Sequence, residues 1–322
     1  MADVTVVIPT HNRKVLLART LRSVLAQEDV DLAVLVVDDG SADGTAASVA
    51  ELGDARVEVI RHPEPRGVSA ARNSGIARAG SPWLAFVDDD DLWAPRKLRA
   101  QLDALAAAPD AGWACTGSVD IDLRCQLSGW VLPPTEADLA ARLLRENVIP
   151  GGGSGVLASR ELTERVGGFD EAISNLADWD FYTRLALHAP MAAVPRLHLG
   201  YLVHPQGMAH NVPRSQVEYA YLDVKYGHER RRRGVELNRR DWLGYLARLA
   251  YRGGHRRTGV RLHADLVVRE HQWRFLRPMV TGLVPERIRQ VRGGRWVPPP
   301  PPPDLGSEAR EWLAPYATAA TS

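Results

Sequence analysis

The first hundred residues alternate between two kinds of hydrophobic pattern. Val4-Thr5-Val6-Val7-Ile8 is a short β-branched run closed by Pro9, after which Leu17, Leu21, Val24 and Leu25 recur at helical spacing. Ala33 to Val37 follows as a strand, then a helix from about Asp43 to Leu52 with Asp43 as N-cap, then Val57-Glu58-Val59-Ile60 as a strand. A helix from Val68 to Ala79 leads into the apolar run Trp83 to Val87. Continuous apolar strands separated by amphipathic helices predict an α/β fold, with a parallel sheet covered on both faces. Ligands of such sheets bind beyond the carboxyl ends of the strands. Three polar clusters fall there: Pro9-Thr10-His11-Asn12-Arg13, Asp38-Asp39-Gly40-Ser41 and Asp88-Asp89-Asp90-Asp91. They are expected to share one crevice.

The last cluster carries the most information. Four adjacent carboxylates repel one another, and the end of a buried strand is a costly place for unpaired charge. Two readings are open on these residues alone. One is a site for a hard divalent cation, Mg2+ or Mn2+, which prefers oxygen ligands and brings a substrate phosphate with it. The other is a solvated acidic turn capping the next helix. A carboxylate after the second strand can meanwhile accept from a nucleobase imide or a ribose hydroxyl, and the two uses together describe a nucleoside diphosphate site. Neither GxGxxG after the first strand nor GxxxxGK[ST] occurs, so a metal takes over the work of a glycine-rich phosphate loop.

Composition sets bounds. The 322 residues are 45% hydrophobic and 25% charged, as in an ordinary globular protein, and no apolar run is long enough to span a bilayer. The start, Met1-Ala2-Asp3-Val4, has neither a basic n-region nor an apolar h-region, which predicts a cytoplasmic protein. The two cysteines, Cys115 and Cys125, match neither a zinc knuckle nor a redox CxxC. A net charge of +1 conceals an asymmetry, since residues 214–296 hold 20 Lys+Arg against 8 Asp+Glu and the rest holds 20 against 31. The balance argues against nucleic acid as partner; the basic segment suits an anionic membrane surface or an anionic acceptor.

Four ordered motifs resemble those of family 2 glycosyltransferases with the GT-A fold. They are Val6-Val7-Ile8-Pro9-Thr10-His11-Asn12-Arg13, then Val37 to Thr45 (VDDGSADGT), Gly67-Val68-Ser69-Ala70-Ala71-Arg72-Asn73, and Phe86-Val87 with the Asp quartet. Val166-Gly167-Gly168-Phe169-Asp170-Glu171 and Asp178-Trp179-Asp180-Phe181-Tyr182-Thr183-Arg184-Leu185 resemble the family's GGFDE and (E)DWDxxxRL segments. The resemblance covers roughly residues 4–210. It implies a Rossmann-like, mostly parallel sheet between helices, with a catalytic domain over 1–213 divided into a nucleotide-sugar half (1–110) and an acceptor half (111–213). A basic helical extension over 214–296 and a Pro-rich tail over 297–322 follow.

The resemblance also implies a metal-dependent, inverting transfer of a sugar from a nucleotide diphosphate to an acceptor hydroxyl. Asp39 and Asp38 would hold base and ribose with Pro9, Thr10 and Arg13, and Arg72 occupies a basic donor-site position. Asp88 would face the ribose with Asp89 in support, and Asp90 would hold Mg2+ or Mn2+. Inversion requires one displacement and a base opposite the diphosphate, a role that falls to Asp178. The family's Glu before it is Ala177 here. Asp180 is the runner-up, with spacing that suits a structural role, and Trp179 reads as core. An imide-recognising Asp favours UDP or dTDP sugars, and the acceptor is a glycan, a lipid-linked sugar or a small molecule.

Several segments carry open readings. Gly151-Gly152-Gly153-Ser154-Gly155, ahead of the strand Val156-Leu157-Ala158, either lets the backbone approach a sugar or forms a plain loop. His204 and His210 close the motif region, one of them a possible metal contact, though a surface role is the simpler one. Beyond residue 215, Tyr219, Leu222, Trp242, Leu243, Tyr245, Leu246 and Leu249 make helices flanking Arg230 to Arg233, expected to pack as an appendage or to lie on a membrane. Pro298 to Pro303 suggest a polyproline II spacer before a weakly ordered tail. The alternative to an enzyme is a non-catalytic nucleotide-sugar binder on the same scaffold; a nucleotidyltransferase fits less well, lacking its basic glycine-rich loop.

Overall fold

A computed structural model describes residues 2–204, 211–252, 254–268 and 300–317, with His271, Trp273 and Leu276. Contacts divide the chain into one unit of residues 1–143, 147–203 and 298–322 and a second of residues 144–146 and 204–297.

The first unit is built on a nine-stranded sheet. Strands β1 (Val4–Thr10), β2 (Leu32–Asp38), β3 (Val57–Arg61) and β4 (Trp83–Phe86) run parallel in the order β3-β2-β1-β4. Helices α1 (Lys14–Leu25), α2 (Thr45–Ala50) and α3 (Val68–Arg78) make the crossovers. Every residue of β1 is buried, and Val4, Val6 and Ile8 pack with Leu17, Leu21 and Val24 of α1, the positions the helical period selects. Each such side chain contributes about 1.5–3 kcal/mol by leaving water.

Past β4 the sheet continues through strands in mixed directions. They are β5 (Leu92–Trp93), β6 (Trp113–Ile121), β7 (Leu127–Val131), β8 (Val156–Ser159) and β9 (Met191–Leu202). β8 lies antiparallel between β4 and β6, β9 runs parallel to β6, and β5 and β7 pair antiparallel with β9 and β6. Among the intervening helices are α4 (Lys97–Ala107), α5 (Leu139–Arg145), α6 (Arg160–Arg165) and α7 (Ala177–His188).

Three local expectations are corrected. Pro9 does not end β1: it pairs in register with Val37, and its missing N–H falls on the side of β4, whose ladder with β1 stops at Val7↔Phe86. Helix α2 starts at Thr45 behind Gly44 at φ 81°; the Asp43 carboxylate bonds the Thr45 N–H (3.0 Å) and hydroxyl from one residue before the N-cap position, which Gly44 occupies.

The third correction concerns the C-terminus. Pro303–Ala317 is a helix packed into the first unit, where Leu305, Ala309, Trp312, Leu313 and Tyr316 join a core with Leu92, Val119, Ile121, Leu197 and Leu202. Proline at its first position costs nothing there, since that N–H has no helical partner. Pro298 and Pro299 lie outside the described residues.

The second unit contains α8 (Val212–Lys225), α9 (Gly227–Arg233), α10 (Arg239–Arg252) and α11 (Arg256–Val268). Leu243, Leu246, Ala247 and Ala250 of α10 pack with Leu262 and Leu266 of α11 and with Val212. The arginine cluster is not one solvated face: Arg230 is buried on Asp223 (2.6 Å), while Arg232 and Arg233 share Glu229. No helix among the described residues is long and apolar enough to cross a membrane. The C-terminal helix Pro303–Ala317, packed in the first unit, is α12.

Candidate active site

The three polar clusters meet at the carboxyl ends of β1, β2 and β4. Asn12, at φ 54°, turns the chain after β1 toward the β2 loop: its N–H donates to Ser41 Oγ (2.9 Å), and its Oδ1 accepts from the Ala42 N–H (2.8 Å). Thr10 Oγ1 donates to Asp89 Oδ2 (2.7 Å). Arg13 pairs with Asp90 and lies 3.5 Å from Asp89 Oδ1. These contacts fasten the first loop to the acidic turn.

The quartet sorts by depth. Asp91 is fully buried, accepting from the Ser154 hydroxyl (2.5 Å) and the Leu202 N–H (2.9 Å), which makes it an internal strut. Burial, then Asp90 and Asp88, push its pKa well above the carboxylate range. Asp89 is nearly as deep. Burial and the charge of Asp90 push it up to about 7, against the pull of Arg13 and the Thr10 hydroxyl. Asp88 and Asp90 keep side-chain exposures of 23% and 14%, so they are the pair a ligand can reach.

Each of that pair already holds an arginine. Arg72, buried on α3, binds Asp88 through Nη2 with its guanidinium 4.9 Å from the centre of the Phe169 ring. A Cβ on Gly153 would stand 2.3 Å from Arg72 Nη2 and 3.1 Å from Asp88 Oδ1. The Gly-rich stretch is therefore a close-approach segment, and what it approaches is the Arg72–Asp88 pair. Ser154 fixes it there, accepting from the Asp88 N–H (2.9 Å) while donating to Asp91, and the Tyr182 hydroxyl donates to the Gly152 carbonyl (2.6 Å).

The carboxylates after β2 are committed to loop geometry. Asp39 accepts from the N–H groups of Arg66 (2.8 Å) and Gly67 (2.8 Å) and from His62 Nδ1 (2.7 Å). Burial raises its pKa, but those donors outweigh it and hold the group below the usual range. Asp38 is wholly buried; its Oδ1 accepts from the Ser41 N–H (2.9 Å) and its Oδ2 stands 3.6 Å from Arg61 Nε. Both therefore shape the rim on which Pro9 and Thr10 lie.

Asp178 lies half-buried in the first turn of α7. Burial pushes its pKa up to about 6; the Trp179 N–H and the Arg72 charge pull it down, and Asp88 pushes it up again. Arg72 and Asp88 thus both act on the charge of the base candidate. Ala177 is buried and offers no carboxylate, and Asn147 Nδ2 donates to Asp178 Oδ2 (3.3 Å). Asp180 instead holds Arg184 (2.6 Å), which caps the carbonyls of Val166 and Gly168, and Trp179 is core with its indole N–H on the Leu143 carbonyl (2.7 Å).

A family model described as glycosyl transferase family 2 matches residues 5–165, half of the chain. The chain belongs to that family. Over 106 residues it is 43% identical to the succinoglycan biosynthesis protein ExoO of Rhizobium meliloti, a match covering 33% of this chain and 30% of that one. Over 102 residues it is 31% identical to WfgD of Escherichia coli, named as a UDP-Glc:alpha-D-GlcNAc-diphosphoundecaprenol beta-1,3-glucosyltransferase, covering 32% and 40%. The matched stretches thus span well under half of these two relatives.

Among solved structures, S. aureus TarS 1-349 with UDP aligns with TM-score 0.52 at 17% identity over 91% of this chain and 93% of that one. The mannosyltransferase PcManGT from Pyrobaculum calidifontis, with GDP-Man and Mn2+, aligns with TM-score 0.51 at 19% identity over 99% and 86%. The fold is that of the GT-A transferases.

For this family 2 glycosyltransferase, Asn147, Ser154, Tyr182 and His62 are the site residues the sequence reading missed. Asn147 and His62 sit in no pattern, whereas Ser154 was visible as the one hydroxyl in a glycine run. His210 lies outside the described residues, and His204 belongs to the second unit. Among the described residues no three His, Cys, Asp or Glu side chains gather into a metal cage. Two reachable carboxylates are nonetheless the complement with which Mg2+ or Mn2+ binds when a substrate diphosphate supplies the other oxygens.

Proposed function

We propose that this glycosyltransferase moves a sugar, with inversion, from a nucleoside diphosphate donor to a hydroxyl of a lipid-linked or polysaccharide acceptor, with Mg2+ or Mn2+ as cofactor. The observation that carries this reading is the meeting of the Arg13–Asp90, Arg72–Asp88 and Thr10–Asp89 pairs at the carboxyl ends of β1 and β4, with the half-buried carboxyl Asp178 feeling the charges of Arg72 and Asp88. UDP is favoured over dTDP as the donor nucleotide because TarS binds UDP in the aligned structure and WfgD is named for a UDP sugar. WfgD also supports the lipid-linked acceptor.

In the proposed reaction Asp178 accepts the proton of the acceptor hydroxyl as that oxygen attacks the anomeric carbon. One C–O bond forms on the face opposite the one that breaks, and the nucleoside diphosphate leaves with the bonding pair. Asp90, with Asp88 beside it, would hold the metal ion, which when bound would supply neutralisation of the leaving diphosphate. Arg13 and Arg72 keep the two carboxylates paired and add positive charge near the phosphates. Asp89 and Thr10 hold the turn, and Asp38 and Asp39 fix the loop that walls the base. Asn147 stands in for the missing glutamate as the group that orients Asp178. The two cysteines, free and buried, suit a reducing cytoplasm.

The deciding experiment offers UDP-sugars and lipid-linked acceptors to the wild-type protein and to Asp178→Asn. Product with the first and none with the second, at equal nucleotide binding, is the expected result. Nucleotide binding without product from either would make the chain a binder rather than a transferase.

A further inference from the structure

The outward face of α8 carries the wrong residues for a face turned to water. Val217, Tyr221 and Val224 recur at i, i+4 and i+7, which is one helix face, and they are 71%, 40% and 84% exposed. The opposite face is the one spent on the core of the second unit. Val212, Ser215, Glu218 and Leu222 are buried there, and Tyr219 stacks on Trp242 of α10 with ring centres 4.7 Å apart. A helix that already buries one face gains no stability from a second apolar stripe in water, so the stripe fits an external apolar phase.

Charge indicates which phase. Arg214 and Lys225 lie along one side of the stripe, Arg214 remaining 53% exposed although it bonds Glu218. Lys225 Nζ sits 5.7 Å from the centre of the Tyr221 ring, at the edge of the stripe. Arg231 and Arg232 are exposed on α9 directly after it. Over residues 214–296 the sequence carries 20 Lys+Arg against 8 Asp+Glu. A second copy of the same face would meet like charge, whereas an anionic lipid surface would not. An apolar stripe, a tyrosine at its edge and lysine and arginine beside it make up the composition of a helix that lies in a headgroup layer.

We propose that α8 docks the protein on an anionic bilayer, with Val217, Tyr221 and Val224 entering the headgroup boundary and Arg214, Lys225 and Arg231 meeting lipid phosphates. This deepens the proposed function, since it would bring the enzyme to the surface that holds a lipid-linked acceptor. The docking itself involves neither donor nor acceptor.

The test is flotation of the full-length protein with vesicles of equal parts phosphatidylcholine and phosphatidylglycerol, and with vesicles of phosphatidylcholine alone. Binding to the mixed vesicles, weakened by salt, and little binding to the neutral ones is expected. Val217→Asp with Val224→Asp should lower the partition by about tenfold, with unchanged thermal unfolding because both sites are exposed. Should that variant fail to fold, Lys225→Glu with Arg231→Glu should lower binding to the mixed vesicles alone. Equal partition of wild type and variants, or no binding to mixed vesicles, overturns the proposal. So does a wild-type dimer by light scattering that the double aspartate variant converts to monomer, which would give the stripe to a second copy. A protein that transfers sugar to a soluble acceptor but ignores vesicles overturns only this inference; one that binds vesicles but lacks transfer overturns only the transferase reading.

Discussion

Gly153 lies so close to the buried Arg72–Asp88 pair that a methyl group on it would stand 2.3 Å from Arg72 Nη2. Arg72 has little room to retreat, being buried with its guanidinium against the Phe169 ring. Gly153→Ala is therefore expected to displace the arginine from Asp88 and to weaken nucleotide-sugar binding by about tenfold, the scale of one charge-assisted hydrogen bond. Calorimetric titration with UDP checks this. Unaltered affinity would mean that the pair is not part of the donor site.

Asp178 and Asn147 separate chemistry from orientation. Asp178→Asn removes the proposed base and should cost about 10²–10⁴-fold in kcat while leaving UDP affinity within about a factor of two. Asn147→Ala leaves the carboxylate in place but removes its side-chain donor at 3.3 Å, so a smaller fall in kcat and a shifted pH profile are expected. If Asn147→Ala moved only thermal stability, it would be a structural residue.

The pH dependence follows from the carboxyl itself. Asp178 must be ionised to accept a proton, and its pKa is pushed up to about 6, chiefly by burial. The protonated, inactive fraction grows as pH falls through that value. kcat/KM should then fall by about tenfold per pH unit below it and level off above. A limb near the ordinary carboxylate value would show that Asp178 is solvated in the free enzyme or is not the base.

The sequence was most legible where one pattern decided the outcome. Strands β1 to β4 show as apolar runs between helical periods, and the three polar clusters at the ends of β1, β2 and β4 do meet in the fold. The part after residue 92 was harder. β5 is two residues long, and β6 reads as Trp-Ala-Cys-Thr-Gly-Ser, polar enough to pass for loop, although Thr116 is buried with its hydroxyl on the Arg196 carbonyl (2.9 Å). That partner lies 80 residues away, beyond any local pattern. Asp39 is a similar case. Its motif marked it for a ligand, while its loop-holding partners, His62 and the backbone of Arg66 and Gly67, are chosen by tertiary approach.

The arginine partners of Asp88 and Asp90 bear on metal affinity. A cation arriving without nucleotide must compete with Arg72 for Asp88 and with Arg13 for Asp90, so Mn2+ alone should bind weakly. With UDP present, the diphosphate can take up the released arginines, and the two ligands should each tighten the other's binding by the same factor. Arg13→Met is expected to strengthen binding of Mn2+ alone and to weaken that coupling. Asp90→Asn should abolish any Mn2+-dependent rise in melting temperature with UDP. Coupling unchanged by Arg13→Met would separate Arg13 from the diphosphate.

Helix α12 gives the C-terminus a structural part that can be measured. Trp312 is 8% exposed, packs with Leu197 and Leu202 of β9, and donates its indole N–H to the Leu197 carbonyl (3.2 Å). Arg19 and Arg22 of α1 donate to the carbonyls of Tyr316 (3.3 Å) and Pro315 (3.0 Å), tying the helix end to the crossover between β1 and β2. Trp312→Ala opens a cavity in that core and should cost about 3–5 kcal/mol. Urea unfolding should show a lower midpoint with an unchanged slope. A loss below about 1 kcal/mol would mean that α12 is a surface attachment, because a well-packed buried tryptophan cannot be truncated so cheaply.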